Sequence, residues 1–270
     1  MRAKKSLGQN FLHDESIVKK IIGALNLREN ETVVEIGPGT GALTETLLEQ
    51  AGHVIAVEFD RDMIAVLTER FAASKNLELI KTDALNVDFA AILPKALPIG
   101  TAKLVANLPY NISTPILQRL IDQRGTFSTI VLMFQREVVE RITAKPGNKN
   151  RGFLSVLVEN IFTTEYLFDV PPQAFQPVPK VWSGIVRLTP KVSVFADFPV
   201  FRKIVSASFA HKRKTILNNL KPVVENAAAM LAASGIDPKR RAETLTLEEW
   251  KALTHTIIRS KNITIKKASN

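Results

Sequence analysis

A run of apolar, largely β-branched residues passes straight into three alternating glycines and then into a helical period. The segment is Val33-Val-Glu-Ile-Gly-Pro-Gly-Thr-Gly41, followed by Ala42–Gln50 with Leu43, Leu47 and Leu48 on one face. A strand that ends in glycines and feeds a helix belongs at the carboxyl edge of an open α/β sheet, where glycine lets the backbone come close to a ligand. The flanking sequence agrees. Val54–Glu58, Leu77–Thr82, Lys103–Asn107 and Thr129–Phe134 read as further strands, and Asp62–Phe71 and Thr114–Asp122 carry helical spacing. Alternating strands and helices imply right-handed crossovers and a largely parallel sheet.

After Ala144 the rhythm changes. Lys145–Gly152 is a polar, basic loop, and six of the 14 prolines fall between Pro171 and Pro199. Leu154–Phe162 and Val181–Leu188 are strand-like and are expected to extend the sheet, because proline tolerates strand ends but not a helix interior. From Pro199 the chain is expected to be helical, with Phe201, Ile204, Val205, Phe209, Ile216 and Leu220 on one apolar face. Asp237-Pro238 reads as an N-cap followed by proline, and Thr246-Leu-Glu-Glu249 as a capping box. The expected division is an N-terminal arm and α/β domain over residues 1–196 and a small all-α domain over 197–270.

Charge follows that division. The 270 residues carry a formal net charge of +10. Residues 200–270 hold 14 Lys+Arg against 5 Asp+Glu, residues 1–20 hold 5 against 2, and the middle holds 17 against 19. A basic excess at both ends suits a polyanionic partner, although a solvated surface would give the same count. The absence of cysteine excludes disulfide scaffolds, thiolate metal sites and cysteine nucleophiles, and favours a reducing compartment, the cytoplasm. Leu104–Gln118, the longest uncharged run, holds 15 residues and two prolines, too short to span a bilayer. The basic start has no apolar stretch behind it and is not read as a secretory signal. His13, His53, His211 and His255 show no metal-ligand spacing, so no metal is expected.

The glycine spacing discriminates among nucleotides. Dinucleotide-binding loops read G-x-G-x-x-G and receive a pyrophosphate at a helix N-terminus, whereas here the spacing is G-x-G-x-G. Glu35, two residues before Gly37, would disfavour a pyrophosphate and suit a cation. Glu58, ending the second strand, is placed to accept from ribose hydroxyls, and Asp83, ending the third, from an adenine amino group. Adenine, ribose and a positive centre without phosphate describe S-adenosylmethionine, with Gly37, Gly39, Glu58 and Asp83 as its contacts. The same spacing counts against a nicotinamide dehydrogenase.

The fourth strand ends in Asn107-Leu-Pro-Tyr110, then Asn-Ile-Ser-Thr. Asn-Leu-Pro-Tyr resembles the Asn/Asp-Pro-Pro-Tyr motifs of amino-methyltransferases. With Gly8-Gln-Asn-Phe-Leu12, the glycine loop, Phe175-Gln-Pro-Val-Pro-Lys-Val181 with Ser183, and Phe209-Ala-His-Lys-Arg-Lys-Thr-Ile-Leu-Asn-Asn-Leu220, the chain is similar over nearly its whole length to the ribosomal RNA adenine N6-dimethyltransferase family. The resemblance implies a Rossmann-like methyltransferase fold with a mixed, mostly parallel sheet. It also implies two transfers to each of two adjacent adenosines near the 3′ end of small-subunit ribosomal RNA during subunit assembly, with the subunit and its RNA as partners; separately, a monomer is expected.

An exocyclic adenine amine is a poor nucleophile because its lone pair is delocalised into the ring. If the Asn107 side-chain oxygen and the Leu108 carbonyl accept its hydrogens, the lone pair is aimed at the sulfonium methyl, so orientation supplies much of the rate. Pro109 fixes the turn and Tyr110 stacks on the base. The resemblance adds Phe175 on the base's other side, and Asn10 and Leu12 over the methionine part of the cofactor; Asn107 is expected to touch the cofactor as well as the base. His211–Lys214, expected on the polar side of a helix, and Lys239–Arg241, expected to open another, become candidate phosphate contacts, with Lys4-Lys5 and Lys145–Arg151 extending the footprint. Two other readings remain: a resistance-type methyltransferase of large-subunit ribosomal RNA, and an assembly factor that mainly binds RNA.

Overall fold

The computed structural model describes residues 9–109, 112–192, 195 and 197–260. Calls on Tyr110, Gly8 and Lys4-Lys5 lie outside these residues. In the first part of the chain the elements are β1 (Phe11–Leu12), α1 (Glu15–Leu25), β2 (Thr32–Ile36), α2 (Ala42–Gln50), β3 (His53–Glu58), α3 (Arg61–Arg70), β4 (Leu77–Lys81), α4 (Phe89–Ile92), β5 (Ala102–Asn107), α5 (Ser113–Asp122) and β6 (Phe127–Gln135). There follow α6 (Arg136–Ile142), α7 (Phe153–Ile161), β7 (Phe162–Val170), β8 (Phe175–Gln176), β9 (Ser183–Pro190), α8 (Phe198–Ser208), α9 (Ile216–Leu220), α10 (Ala227–Ala233) and α11 (Leu247–Arg259).

Seven strands form one sheet in the order β4-β3-β2-β5-β6-β9-β7. The pairs β4–β3, β3–β2, β2–β5 and β5–β6 are parallel, and β6–β9 is antiparallel. The fold class is thus α/β with a mixed, mostly parallel sheet. The chain reverses direction across the sheet at β2, so its carboxyl end and that of neighbouring β5 open a crevice of the kind that binds ligands in such sheets. Burial follows position. All five residues of central β2 are buried, whereas edge strand β4 is half exposed.

One face of α1 supplies Ile17, Val18, Ile21, Ile22 and Leu25, which pack with Leu43 and Leu47 of α2 and with Val33, Val105 and Val131 of the sheet. Each such side chain contributes roughly 1.5–3 kcal/mol on burial, an upper bound. Asp14 caps α1 by accepting from the Ser16 and Ile17 amides, and Asn26 ends it in the left-handed region at φ 51°. Ahead of α1, β1 pairs antiparallel with β8, Leu12 opposite Phe175, which brings the N-terminal arm onto the sheet's carboxyl edge.

Two compact units result: residues through Val139 with Thr163–Pro190, and Glu140–Phe162 with the residues from Lys191 onward. Residues 140–162 thus group with the residues from Lys191 onward and not with the strands on either side of them in sequence. The reason is α7. Leu154–Phe162, expected as a strand, is helical, because an apolar run of this length cannot be assigned by periodicity alone. It is buried on most sides, at Val156, Leu157, Val158, Asn160 and Ile161, and Ser155 Oγ accepts from the Gly152 amide at its start. The strand comes next, as β7.

In the second unit Arg151 is 1% exposed and pins the loop before α7: Nη1 donates to the Ala144 carbonyl at 2.7 Å and Nη2 to Glu159 at 2.5 Å. The long helix expected from Phe201 to Leu220 is broken. Asn219 Nδ2 donates to the carbonyls of Ser208 and His211, closing α8, and Thr215 caps α9, so His211–Lys214 form an exposed turn instead of a helical face. Asp237-Pro238 likewise opens a turn, in which Asp237 accepts from the Lys239 amide. The capping box at Thr246 and Glu249 is present.

Candidate active site

The glycine loop is shaped by backbone conformation. Gly37, Gly39 and Gly41 have φ of 68°, 58° and 89°, in the region that side chains with a Cβ rarely adopt. Gly37 donates to the Val57 carbonyl at 3.0 Å, and a Cβ there would stand 3.7 Å from the Asn107 carbonyl oxygen. The ends of β2, β3 and β5 thus meet at this glycine. Behind the loop, a Cβ on Gly41 would come within 2.6 Å of the Phe71 ring, and Arg70 braces the turn by donating to the Thr40 carbonyl at 2.7 Å and pairing with Glu45. In front, the Phe11 ring lies where a Cβ on Gly39 would be 3.2 Å away.

Around this loop lies a cavity of about 230 Å³ within the first unit. Its walls include Asn10, Leu12, Gly37, Gly39, Glu58, Asp83, Asn107, Leu108, Pro109 and Phe175. The cofactor and target-base candidates read from the sequence that fall among the described residues therefore line one cleft, whereas the candidate phosphate contacts lie elsewhere. Phe175 is 2% exposed, wedged beside Leu12 and Ala174, and contributes to the wall from the β1–β8 ribbon.

Glu58 organises the crevice. Its Oε1 accepts from the Phe59 and Asp60 amides, each at 2.8 Å, and its Oε2 from the Gly39 amide at 3.2 Å. A carboxylate has about four lone-pair sites, so Oε2 keeps acceptor capacity for a ligand hydroxyl. Asp83 caps the short 84–86 turn by accepting from the Leu85 amide at 2.9 Å. Pro109 accepts from the Ile112 amide at 3.1 Å and from the Ser113 hydroxyl at 3.3 Å, which anchors the turn after Asn107 to the start of α5.

Glu35 is the electrostatic exception. It is 1% exposed and accepts from the Thr44 hydroxyl at 2.7 Å. Burial, reinforced by the nearby Glu58 charge and opposed by the Thr44 hydrogen bond, pushes its pKa up to about 8. Near pH 7 such a carboxyl is mostly protonated and ionises more readily as a positive group approaches, so the cleft holds latent negative charge suited to a cation.

Other residues in the cleft escaped the sequence reading. Phe59, 62% exposed, stands at the rim directly after Glu58. Asp60 is 4% exposed, caps α3 through the Asp62 amide and accepts from Gln9 Nε2 at 2.7 Å, joining the arm to the end of β3. The N-cap position of Asp60 was a legible signal; its partner across 51 residues was not. Among the described residues no group of three or more His, Asp or Glu could hold a metal. None of their helices is long and apolar enough to cross a membrane.

In the second unit Lys212, Arg213, Lys239 and Arg241 are exposed, and Arg240 is spent on an ion pair with Glu249 at 2.5 Å and on the Thr244 carbonyl. The expected phosphate contact at Arg240 thus gives way to a structural one. Arg151 is likewise withdrawn from the basic loop.

Comparison with known proteins places these features in context. Residues 1–259 match the family model described as ribosomal RNA adenine dimethylase. Ribosomal RNA small subunit methyltransferase A of Nitrosococcus oceani is 44% identical over 256 residues, 94% of this chain and 95% of that one. Among solved structures, a dimethyladenosine transferase from Plasmodium falciparum superposes with a TM-score of 0.79 at 29% identity, over 95% of this chain and all of that one. The 23S rRNA methyltransferase ErmE shares the fold, with a TM-score of 0.71 at 24% identity over 92% of this chain and all of that one.

Proposed function

The chain belongs to the ribosomal RNA adenine dimethylase family, and we propose that it uses S-adenosylmethionine to dimethylate N6 of two adjacent adenosines near the 3′ end of small-subunit ribosomal RNA. The observation that carries this reading is the convergence of the glycine loop, Glu58, Asp83 and Asn107-Leu-Pro109 on one cleft. Assembling small subunits are the partner and the cytoplasm is the place. The whole cleft belongs to one unit of one chain, which suits a monomeric enzyme.

The residues fit the cofactor. Glu58 Oε2 has acceptor capacity for ribose hydroxyls, Asp83 in the cleft wall is an acceptor for an adenine amino group, and exposed Phe59 at the rim offers a face for the purine. Buried Glu35 supplies negative charge when the ammonium or sulfonium arrives, while Asn10 and Leu12 cover the methionine end. The cofactor supplies an electrophilic methyl group. Everything else is positioning by the chain.

Asn107 Oδ1 and the Leu108 carbonyl accept the two N6 hydrogens of the target adenine, turning the nitrogen lone pair toward the methyl group. Pro109 and the Ser113 hydrogen bond hold that turn against α5. Phe175 packs along one side of the base and Tyr110 stacks on it, as extruded bases are commonly held between aromatic faces. After one transfer a single N6 hydrogen remains, so one acceptor lets go and the base rotates about C6–N6 before the second. The proton leaves to solvent once the nitrogen has become cationic, and no strong base is needed.

The test is methyl transfer from labelled cofactor to small subunits isolated from a strain that lacks the modification. Incorporation into those subunits and not into modified ones supports the reading; no incorporation refutes it. The large-subunit reading is disfavoured by the extensive identity with a small-subunit methyltransferase, and transfer to large subunits would revive it.

A further inference from the structure

Beside the cleft, the loop between β8 and β9 exposes an aromatic and basic surface that the proposed chemistry does not use. Trp182 is 47% exposed, with Val178 at 57% and Val181 at 41%. Lys180 in the same loop is also exposed, while Arg136 opposite it pairs with Asp169 at 3.5 Å. Three large apolar side chains exposed within five residues form the kind of patch that marks an interaction site, where a lone exposed side chain would not.

Its place in the sheet says which partner. β9 runs antiparallel to β6, so its start lies at the carboxyl edge, beside the ends of β5 and β6. Asn107 is level with Met133, Gln135 with Ser183, and the Arg136 amide donates to the Trp182 carbonyl at 3.0 Å, extending the ladder one step past the strand. Trp182 therefore stands two strand spacings from Asn107, about 10 Å across, and about 10 Å further out along the strands. The diagonal, about 14 Å, is spanned by about two nucleotides of an extended strand. The loop also follows directly on β8, whose Phe175 lines the cleft itself. Tyr166 continues the surface, its ring lying where a Cβ on Gly184 would come within 3.0 Å of the hydroxyl.

We propose that Trp182 is a stacking platform for a nucleotide flanking the methylated adenosine, with Lys180 near an adjoining phosphate. The inference rests on the reading that the target is an adenosine in RNA. Extrusion of a base from a helix or loop leaves its neighbours unstacked, and an aromatic face beside the cleft offers them a replacement that tolerates any base. The platform acts on RNA binding and leaves the methyl-transfer geometry at Asn107 alone.

The experiment compares the full-length protein with Trp182→Ala and Trp182→Phe on unmethylated small subunits. For Trp182→Ala, KM for subunits rises about tenfold while kcat and KM for the cofactor stay within about twofold; Trp182→Phe stays close to wild type, because loss of one stacked base costs about one order of magnitude in affinity. Ultraviolet cross-linking of the wild-type complex joins Trp182 to a nucleotide within two positions of a methylated adenosine. An unchanged KM in Trp182→Ala, a fall confined to kcat, or a Trp182 cross-link to a ribosomal protein overturns the proposal. Wild-type transfer to the subunits tests the underlying reading separately. If it is present while Trp182→Ala is unaffected, only the platform fails.

Discussion

Glu35→Gln separates what the cleft needs for binding from what the fold would prefer. In the folded protein the Glu35 carboxyl is pushed from an ordinary 4.5 up to about 8, chiefly by burial. The unfolded chain has no such burial, so between these values the folded state holds a proton that the unfolded state has released. Stability then falls as pH rises, by about 1.4 kcal/mol for each unit that separates the pH from 4.5, and levels off near the folded pKa. At pH 7 the accumulated loss is about 3 kcal/mol, a sizeable share of a typical 5–15 kcal/mol. Glutamine keeps an acceptor for the Thr44 hydroxyl and carries no charge to desolvate. The variant is therefore expected to match wild type near pH 4.5 and to exceed it by about 3 kcal/mol at pH 7. Urea unfolding at several pH values measures this directly, because other titrating groups are common to both chains and cancel. Cofactor affinity moves the other way, weakening about tenfold for the loss of one unit of ion pairing. Wild-type affinity rises with pH up to about 8, and binding at pH 7 releases a proton. Stability curves that run parallel at all pH values would show that Glu35 is already ionised in the free protein and would refute the reasoning.

Three further substitutions probe other parts of the account. Asn107→Ala should lower methyl transfer on the order of 100-fold or more while subunit binding stays within a few-fold; equal loss of both would remove Asn107 from its proposed role. Lys212→Ala with Arg213→Ala should do the reverse, weakening binding and reducing the slope of log affinity against log salt by about two, whereas an unchanged slope would place that turn outside the RNA interface. Gly41→Ala, at φ 89° with a Cβ 2.6 Å from Phe71, should cost about 2 kcal/mol or more and lower Tm, and an unaltered Tm would mean that the loop relaxes freely.

What the sequence disclosed depended on whether the signal was local. The strand, three glycines and helix at 33–50 announced themselves because hydrophobic period and glycine spacing are properties of adjacent residues. Glu58, Asp83 and Asn107 could be nominated because each ends a legible strand, and a parallel sheet delivers strand ends to one edge. The N-terminal arm needed family resemblance, since nothing in Gln9–Leu12 alone announces that Phe11 rests on Gly39 or that Gln9 reaches Asp60. Leu154–Phe162 misled because a short apolar run looks the same as a buried strand or a buried helix. Arg240 looked like a phosphate contact because pairing with Glu249 is invisible until two turns are folded together. The pKa of Glu35 was equally hidden, as burial is a property of the assembled crevice.

The central claim is tested most directly by mass mapping of small-subunit ribosomal RNA from the unmodified strain, after incubation with the purified protein and cofactor. The account predicts a gain of two methyl groups on each of two adjacent adenosines near the 3′ end, lost in Asn107→Ala. Methyl groups on large-subunit RNA, on a single adenosine elsewhere, or on no nucleotide at all would contradict it.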